Sequence, residues 1–142
     1  MKVTKEITFD SAHLLSNYKG KCHNLHGHTY KLQVSLEGPI CTEGNSQGMV
    51  MDFNELKQYL EVIKTTFDHA IIFSDAENRR CAEDELYKWA TQWDMNYVVV
   101  HGKCTSETMV EYIKEMLNDL ISIQGLTISV RLWETPTSFA EV

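Results

Sequence analysis

The chain has 142 residues, of which 43% are hydrophobic and 23% charged, so it can bury a core and has the length of one domain. Its formal net charge of −7 argues against a general nucleic-acid binder, which is basic as a rule, but not against an anionic small-molecule substrate. No segment approaches the roughly 18 to 20 consecutive apolar residues of a membrane span, and the first residues lack the apolar core of a signal peptide, so we expect a cytoplasmic protein.

Two segments near the N-terminus alternate between apolar and polar residues and therefore predict half-buried β-strands. In residues 3–13 the inward row ends on His13. In residues 26–37 the inward row starts with His26 and His28 and continues through one aromatic and three aliphatic residues. The loop that follows is rich in glycine and marks a connection.

The rest of the chain predicts two amphipathic helices and further short strands. In chain order these are a helix that starts at Asp52, a charged and partly helical segment at 74–94, a short strand at 97–100, a helix capped by Thr105 or Ser106, and a strand at 126–134. This order predicts a single α+β domain over residues 1–142, with an antiparallel sheet and two helices on one face. The other face needs a partner, so we expect an oligomer.

Three histidines give the strongest chemical signal. His26 and His28 flank Gly27 on a strand where positions i and i+2 point the same way, so two imidazoles lie side by side on the inward face. His13 has the inward parity of the neighbouring strand and can supply a third nitrogen. Three neutral imidazoles with an open fourth position are typical of catalytic zinc. The alternative is three structural histidines whose hydrogen bonds are satisfied in the core.

Two further features suggest proton chemistry. Cys22 lies four residues before His26, and a metal and histidines nearby can lower the pKa of a thiol so that it acts as a base or a nucleophile. Asp68 precedes His69 at the end of the first helix, and a neighbouring carboxylate can orient an imidazole for proton transfer. Their alternatives are a packing cysteine and a charge pair at a helix end.

Two more features concern the binding of a ligand. Glu134 continues the inward row of the last strand, where a buried carboxylate needs a partner such as the adjacent N–H donors of a guanidine-like ring edge. Alternatively, the strand ends at Leu132 and Glu134 is solvated. Thr105, Ser106 and Glu107 open the second helix, and simple capping accounts for all three.

Together these motifs resemble the family of 6-pyruvoyltetrahydropterin and 6-carboxytetrahydropterin synthases over nearly the whole chain. The motifs are Phe9-Asp10-Ser11-Ala12-His13, Cys22-x3-His26-Gly27-His28-Thr29-Tyr30, Gly48-Met49-Val50-Met51-Asp52-Phe53, Asp68-His69, Thr105-Ser106-Glu107 and Trp133-Glu134-Thr135. The resemblance implies the tunnelling fold (T-fold), an antiparallel sheet with two helices that assembles into barrel trimers, which stack as hexamers. This expectation agrees with the uncovered sheet face.

The resemblance also implies a role for each candidate residue. It implies zinc held by His13, His26 and His28, a catalytic thiol at Cys22, a proton-transfer pair at Asp68 and His69, a pterin-anchoring carboxylate at Glu134, and pocket-lining positions at Thr105 and Glu107.

The three residues between Cys22 and the His-Gly-His motif are similar to those of the bacterial 6-carboxytetrahydropterin synthases within this family. That similarity implies 7,8-dihydroneopterin triphosphate as substrate. It implies 6-carboxy-5,6,7,8-tetrahydropterin, acetaldehyde and triphosphate as products, on the route to queuosine and other 7-deazapurines.

Three alternatives stay open from the sequence. The first is the sister activity, which makes 6-pyruvoyltetrahydropterin or processes sepiapterin. The second is a Cys–His hydrolase with Cys22 as acyl nucleophile, whose activity survives a chelator. The third is a non-catalytic zinc- or pterin-binding module.

The sequence departs from the family pattern on either side of the pocket motif. Cys104 stands where proline is common and Thr108 where asparagine is common. The basic residues that meet a triphosphate are unassigned, with Lys19, Lys21, Lys31 and Lys103 as candidates only because they lie near the motifs.

Overall fold

The computed structural model describes residues 1–142, which form six β-strands and three α-helices. The elements are β1 (Lys2–His13), β2 (His26–Glu37), α1 (Phe53–Phe67), β3 (Ala70–Phe73), α2 (Cys81–Gln92), β4 (Tyr97–Val99), α3 (Ser106–Leu120), β5 (Thr127–Thr135) and β6 (Ser138–Glu141). A short 3₁₀ turn, Lys21–His23, precedes β2. None of the helices has the length and apolar character that would let it cross a membrane.

All strands belong to one sheet in the order β4-β3-β1-β2-β5-β6. The central pair, β1 and β2, is antiparallel along its whole length, from Lys2 opposite Glu37 to His13 opposite His26. Strands β5 and β6 continue the antiparallel pairing on the far side of β2. The two predicted N-terminal strands and the predicted last strand are therefore confirmed, and they form the antiparallel part of the sheet.

The other edge of the sheet is parallel, and this corrects the expectation of a wholly antiparallel sheet with two helices. Strand β3, which the sequence pattern does not predict, pairs parallel with β1, and β4 pairs parallel with β3. The third helix, α2, forms the crossover between β3 and β4, and parallel neighbours need such a connection. It occupies most of the charged segment 74–94, which was expected to be partly helical.

Helices α1 and α3 cover the inward face of the sheet because each presents one apolar stripe. The residues they bury are Leu56, Leu60, Ile63 and Phe67 from α1, and Met109, Val110, Ile113 and Leu117 from α3. Asp52 caps α1 as predicted, since its carboxylate accepts a hydrogen bond of 2.7 Å from the Asn54 amide. Thr105 is the N-cap of α3, and its amide donates to the Thr108 hydroxyl at 3.3 Å.

The opposite sheet face carries polar residues along β1 and β2. Thr4, Glu6, Thr8 and Asp10 are exposed there. Lys31 lies on the same face, 3.8 Å from the Glu6 carboxylate and 3.8 Å from the centre of the Trp133 ring. Because it points away from the inward histidine row, its placement does not support Lys31 as a ligand of a triphosphate bound beside the histidines.

Candidate active site

The strand register brings the three predicted histidines together at one end of the central strand pair. His13 and His26 are direct partners in the ladder, and His28 lies two residues further along β2, opposite Ser11. One ring nitrogen from each histidine lies within 4.8 Å of the other two. Gly27 allows this approach, since a Cβ at that position would lie 3.1 Å from the backbone oxygen of Ser11.

Backbone carbonyls hold the far side of two of these rings. The Nδ1 of His13 lies 2.8 Å from the Cys104 oxygen, and the Nδ1 of His26 lies 2.8 Å from the Asn24 oxygen. A carbonyl can only accept, so each Nδ1 carries the proton and each Nε2 keeps its lone pair. The carbonyl contacts thus fix the tautomer in which Nε2 can bind a metal.

The Nε2 atoms of all three histidines are buried and have no hydrogen-bond partner in the chain. Buried polar atoms are paired as a rule, so the alternative of three satisfied core histidines does not account for them. Burial also lowers the pKa of His13 and of His28, which keeps these rings in the neutral form that binds metals. The cluster can therefore hold a metal ion, and its all-imidazole donor set suits zinc.

A pocket of about 300 Å³ opens beside this cluster and collects most of the other predicted site residues. Its lining includes His13, Cys22, Thr105, Glu107 and Glu134, together with Tyr18 and the apolar side chains of β6. The pocket therefore brings together a thiol, two carboxylates and an imidazole from four separate parts of the chain.

Glu134 lies close to the histidines. Its Oε1 is 3.6 Å from the Nε2 of His13 and 3.8 Å from the Nε2 of His28. Strand β5 continues to Thr135, so the alternative in which the strand ends at Leu132 does not hold. The carboxylate is about one-third exposed and so stays accessible to a ligand in the pocket.

Cys22 reaches the pocket from the 3₁₀ turn before β2. Its carbonyl accepts a 2.8 Å hydrogen bond from the amide of Leu15, two residues beyond His13, which ties the turn to the end of β1. The thiol is half-buried and forms no disulfide. The side chains at the start of α3 line the same wall, and the Ser106 hydroxyl there is buried without a partner.

His69 lies elsewhere and lines a second, more open cleft of about 440 Å³ that also borders His28 and Thr29. Asp68 does not line this cleft but contacts two residues that do, Asp10 and His69, so we call it the Asp68–His69 cleft. The Oδ1 of Asp68 accepts a 2.9 Å hydrogen bond from the Asp10 amide, and its Oδ2 lies 3.2 Å from the Nδ1 of His69. The amide hydrogen bond, aided by the neighbouring imidazole, lowers the pKa of Asp68.

The backbone of His69 is left-handed, with φ of 58°, and its side chain is 81% exposed. Neither Asp68 nor His69 lines the pocket that contains Cys22. Within one chain, the predicted catalytic thiol and the predicted proton-transfer histidine therefore line separate clefts.

Two features of the site escaped the sequence analysis. Tyr30 packs edge-on against His13 and His28, and its buried hydroxyl has no partner. Its position two residues beyond His28 in the inward row was a usable signal. The carbonyl of Cys104 had no such signal, because a main-chain acceptor leaves no trace in residue type.

No lysine or arginine lines either cleft, so the triphosphate ligands stay unassigned.

Comparison with known proteins gives a consistent picture. The family model described as 6-pyruvoyl tetrahydropterin synthase matches residues 2–142. A Haemophilus influenzae protein named 6-carboxy-5,6,7,8-tetrahydropterin synthase is 41% identical over 142 residues, which cover 99% of this chain and 96% of that one. A Rickettsia conorii protein of the same name is 27% identical over 151 residues, with 100% and 99% covered.

Solved structures extend the likeness to the fold. The 6-pyruvoyl tetrahydropterin synthase of Plasmodium falciparum superposes with a TM-score of 0.73 at 21% identity, covering 100% of this chain and 96% of that one. The Caenorhabditis elegans 6-pyruvoyl tetrahydropterin synthase gives a TM-score of 0.70 at 25% identity, covering 100% and 94%.

Proposed function

The chain belongs to the 6-pyruvoyl tetrahydropterin synthase family, and on that premise we propose that it is a zinc-dependent carbon–carbon lyase acting on 7,8-dihydroneopterin triphosphate. The products are 6-carboxy-5,6,7,8-tetrahydropterin, acetaldehyde and triphosphate, and the pathway is that of queuosine and other 7-deazapurines. The observation that carries the proposal is the pocket in which Cys22 and Glu134 meet the histidine cluster. The name and the 41% identity of the Haemophilus influenzae relative support this product over its sister.

His13, His26 and His28 would hold the zinc ion through their unpaired Nε2 atoms. Zinc bound there supplies Lewis acidity toward the hydroxyl oxygens of the substrate side chain. The carbonyls of Cys104 and Asn24 keep two of the rings in the required tautomer before any ligand arrives.

Glu134 would anchor the pterin ring. A carboxylate oxygen can accept from the adjacent ring N–H and amino N–H donors of a pterin, and charge-assisted hydrogen bonds of this kind are strong. The distance of 3.6 Å from Glu134 to His13 keeps the ring close to the metal ligands. Thr105 and Glu107, on the same pocket wall, would contact the remaining polar edge of the ring.

Cys22 and His69 would move protons on opposite sides of the substrate. Cys22 lines the pocket and, as thiolate, can take a proton from carbon. Asp68 holds His69 through the 3.2 Å contact to Nδ1, which leaves the Nε2 of His69 free to exchange a proton with substrate. Triphosphate then leaves by elimination. One water adds to the side-chain carbonyl next to the ring, and a retro-aldol-like cleavage of the carbon–carbon bond then releases acetaldehyde and leaves the 6-carboxylate.

The separation of Cys22 from His69 favours an assembly. We infer that 1–142 is one domain that forms a trimer or hexamer, in which the Asp68–His69 cleft of one chain completes the pocket of another. The exposed polar face of the sheet would be covered in that assembly. The chain would act in the cytoplasm on a small molecule, with neither a nucleic acid nor a membrane as partner.

Product analysis by mass spectrometry tests the proposed reaction. Zinc-loaded protein is incubated with 7,8-dihydroneopterin triphosphate, with Cys22→Ala as the inactive variant and Cys41→Ala as a matched cysteine control. We expect 6-carboxytetrahydropterin and acetaldehyde from the wild type and the control alone.

Each other outcome points to a different function. If pyruvoyltetrahydropterin is the sole product, the chain has the sister activity, for which the two solved relatives are named. Turnover that survives a chelator indicates a Cys–His hydrolase. Pterin binding without turnover indicates a binding module.

A further inference from the structure

Glu83 lies in the first turn of α2 and is completely buried, although no lysine, arginine or histidine nitrogen lies within 4.0 Å of its carboxylate. Burying a carboxylate is costly unless its oxygens are paired. Here Oε1 accepts from the amide of Ser74 at 2.7 Å, and Oε2 accepts from the hydroxyl of Ser16 at 2.5 Å. The carboxylate therefore connects α2 to two loops, one after β1 and one after β3.

These two loops and a third segment meet behind His13. The Ser74 hydroxyl accepts from the amide of Cys104 at 3.1 Å. The Cys104 thiol lies 3.1 Å from the carbonyl oxygen of Leu14 and 3.7 Å from Oε1 of Glu83. Hydrogen bonds thus hold both the amide and the side chain of Cys104. The carbonyl oxygen of this residue accepts a hydrogen bond of 2.8 Å from the Nδ1 of His13.

We propose that Glu83 is a positioning residue that holds the Cys104 carbonyl against His13 and thereby sets the metal affinity of the three-histidine cluster. The inference rests on the metal site of the proposed function and adds to it a residue from a helix that contributes no side chain to the pocket lining. A ligating histidine binds its metal more tightly when its other ring nitrogen is held, and loss of such a partner costs about 10- to 100-fold in metal affinity.

The competing role is purely structural, in which Glu83 only attaches α2 to the sheet. The structure supports such a role as well, because Ala90 is the only other residue that α2 buries, so Glu83 is one of two buried attachments of this helix. The two roles differ in one measurable respect. A structural anchor changes the stability of the apo-protein and leaves the metal affinity of the folded protein unchanged, whereas a positioning residue changes that affinity.

Glu83→Gln tests the inference, with Glu85→Gln as the matched control on the same helix. Gln has nearly the same shape and can still accept from the Ser74 amide, but it cannot accept at both ends. Glu85 is exposed and pairs only with Lys88. The Kd for Zn²⁺ is measured on folded apo-protein by competition with a chromophoric chelator, and the apo-protein Tm is measured alongside.

We expect Glu83→Gln to raise the Zn²⁺ Kd about tenfold or more and Glu85→Gln to leave it unchanged. In ¹⁵N spectra of the apo-protein, the Nδ1–H signal of His13 should weaken or shift in Glu83→Gln and stay unchanged in Glu85→Gln. Ser74→Ala, which removes the acceptor for the Cys104 amide, should raise the Kd in the same direction and serves if Glu83→Gln fails to fold.

An unchanged Kd in both folded variants, with only a lower Tm, would overturn the inference and leave Glu83 as an anchor. Failure of the wild type itself to bind Zn²⁺ would instead overturn the metal centre of the proposed function. The wild-type titration therefore separates the two failures.

Discussion

The Cys22 pocket and the Asp68–His69 cleft differ in how firmly the chain holds their reactive groups. In the wall of the pocket, His13 is 1% exposed and a carbonyl fixes its ring. In the cleft, His69 is 81% exposed and its ring is held by one ion pair, with the Asp68 carboxylate. The histidine cluster is thus complete within one chain, whereas the proton-transfer side would, in the assembly that we propose, be completed by substrate and a second copy.

Removal of a histidine from the cluster should have the largest effect. His26→Ala leaves two ring nitrogens, too few for a catalytic zinc site, so both metal content and turnover should fall to background. His23→Ala is the matched control, because His23 is an exposed histidine three residues away. Metal content is measured by plasma mass spectrometry on purified protein. Stoichiometric zinc in His26→Ala would show that the cluster is not the metal site.

Loss of the Cys22 thiol should abolish the reaction but leave the zinc content unchanged. Cys22→Ala removes the proposed base, so kcat should fall by about 10²- to 10⁴-fold. The zinc content should stay that of the wild type, because Cys22 does not belong to the histidine cluster. Cys41→Ala, another half-buried cysteine, should behave as wild type. A drop in bound zinc in Cys22→Ala would place the thiol among the ligands.

Substitution of Glu134 should weaken pterin binding more than it slows the reaction. A hydrogen bond to a charged group contributes about 1.5–3 kcal/mol, so Glu134→Gln should raise the pterin Kd by roughly 10- to 100-fold. Isothermal titration with a non-reacting pterin measures this change. Glu6→Gln, on the opposite sheet face, is the control. If Glu134→Gln lost zinc instead, the carboxylate 3.6 Å from His13 would be a metal ligand.

The cleft offers the smallest effect, a pH-dependent contribution to stability from Asp68. Its pKa is lowered by the Asp10 amide and, to a lesser degree, by His69, so the charged form favours the folded state. The Tm difference between wild type and Asp68→Asn should be present at neutral pH. This difference in Tm should shrink as the pH falls below the ordinary pKa of an aspartate, and it should vanish once the pH has passed the lowered pKa of Asp68. A difference that persists at low pH would contradict this source of stability.

Residue parity predicted the central part of this molecule well, for a physical reason. In β1 and β2 one face is buried, so alternation fixes which residues point inward, and His13, His26 and His28 follow from it. Strand β3 has only four residues, too few for a periodic signal, and it pairs with residues of β1 that lie about 60 positions earlier in the chain. The placement of His69 away from Cys22 is a tertiary property that local patterns do not contain.

The segment around Glu83 illustrates the other limit of sequence reasoning. A glutamate in a charged helix is normally solvated, and only the packing of α2 against the loops containing Ser16 and Ser74 buries it. Its link to His13 passes through the main-chain amide and carbonyl of Cys104, which every residue type except proline provides. The replacement of the usual proline by Cys104 was visible in the sequence, but its partners were not.

Complementation between two inactive variants tests most directly whether pocket and cleft act together. Cys22→Ala and His69→Ala chains are co-expressed in equal amounts with different tags, and mixed oligomers are isolated through both tags. If each site takes Cys22 from one chain and His69 from its neighbour, about a quarter of the sites are intact in random hexamers, because each required chain occupies its place half the time. In trimers that carry both tags the intact fraction rises to about one third. We predict recovery of 6-carboxytetrahydropterin formation to about that level. Mixed oligomers that stay as inactive as either variant alone would contradict a site shared between chains.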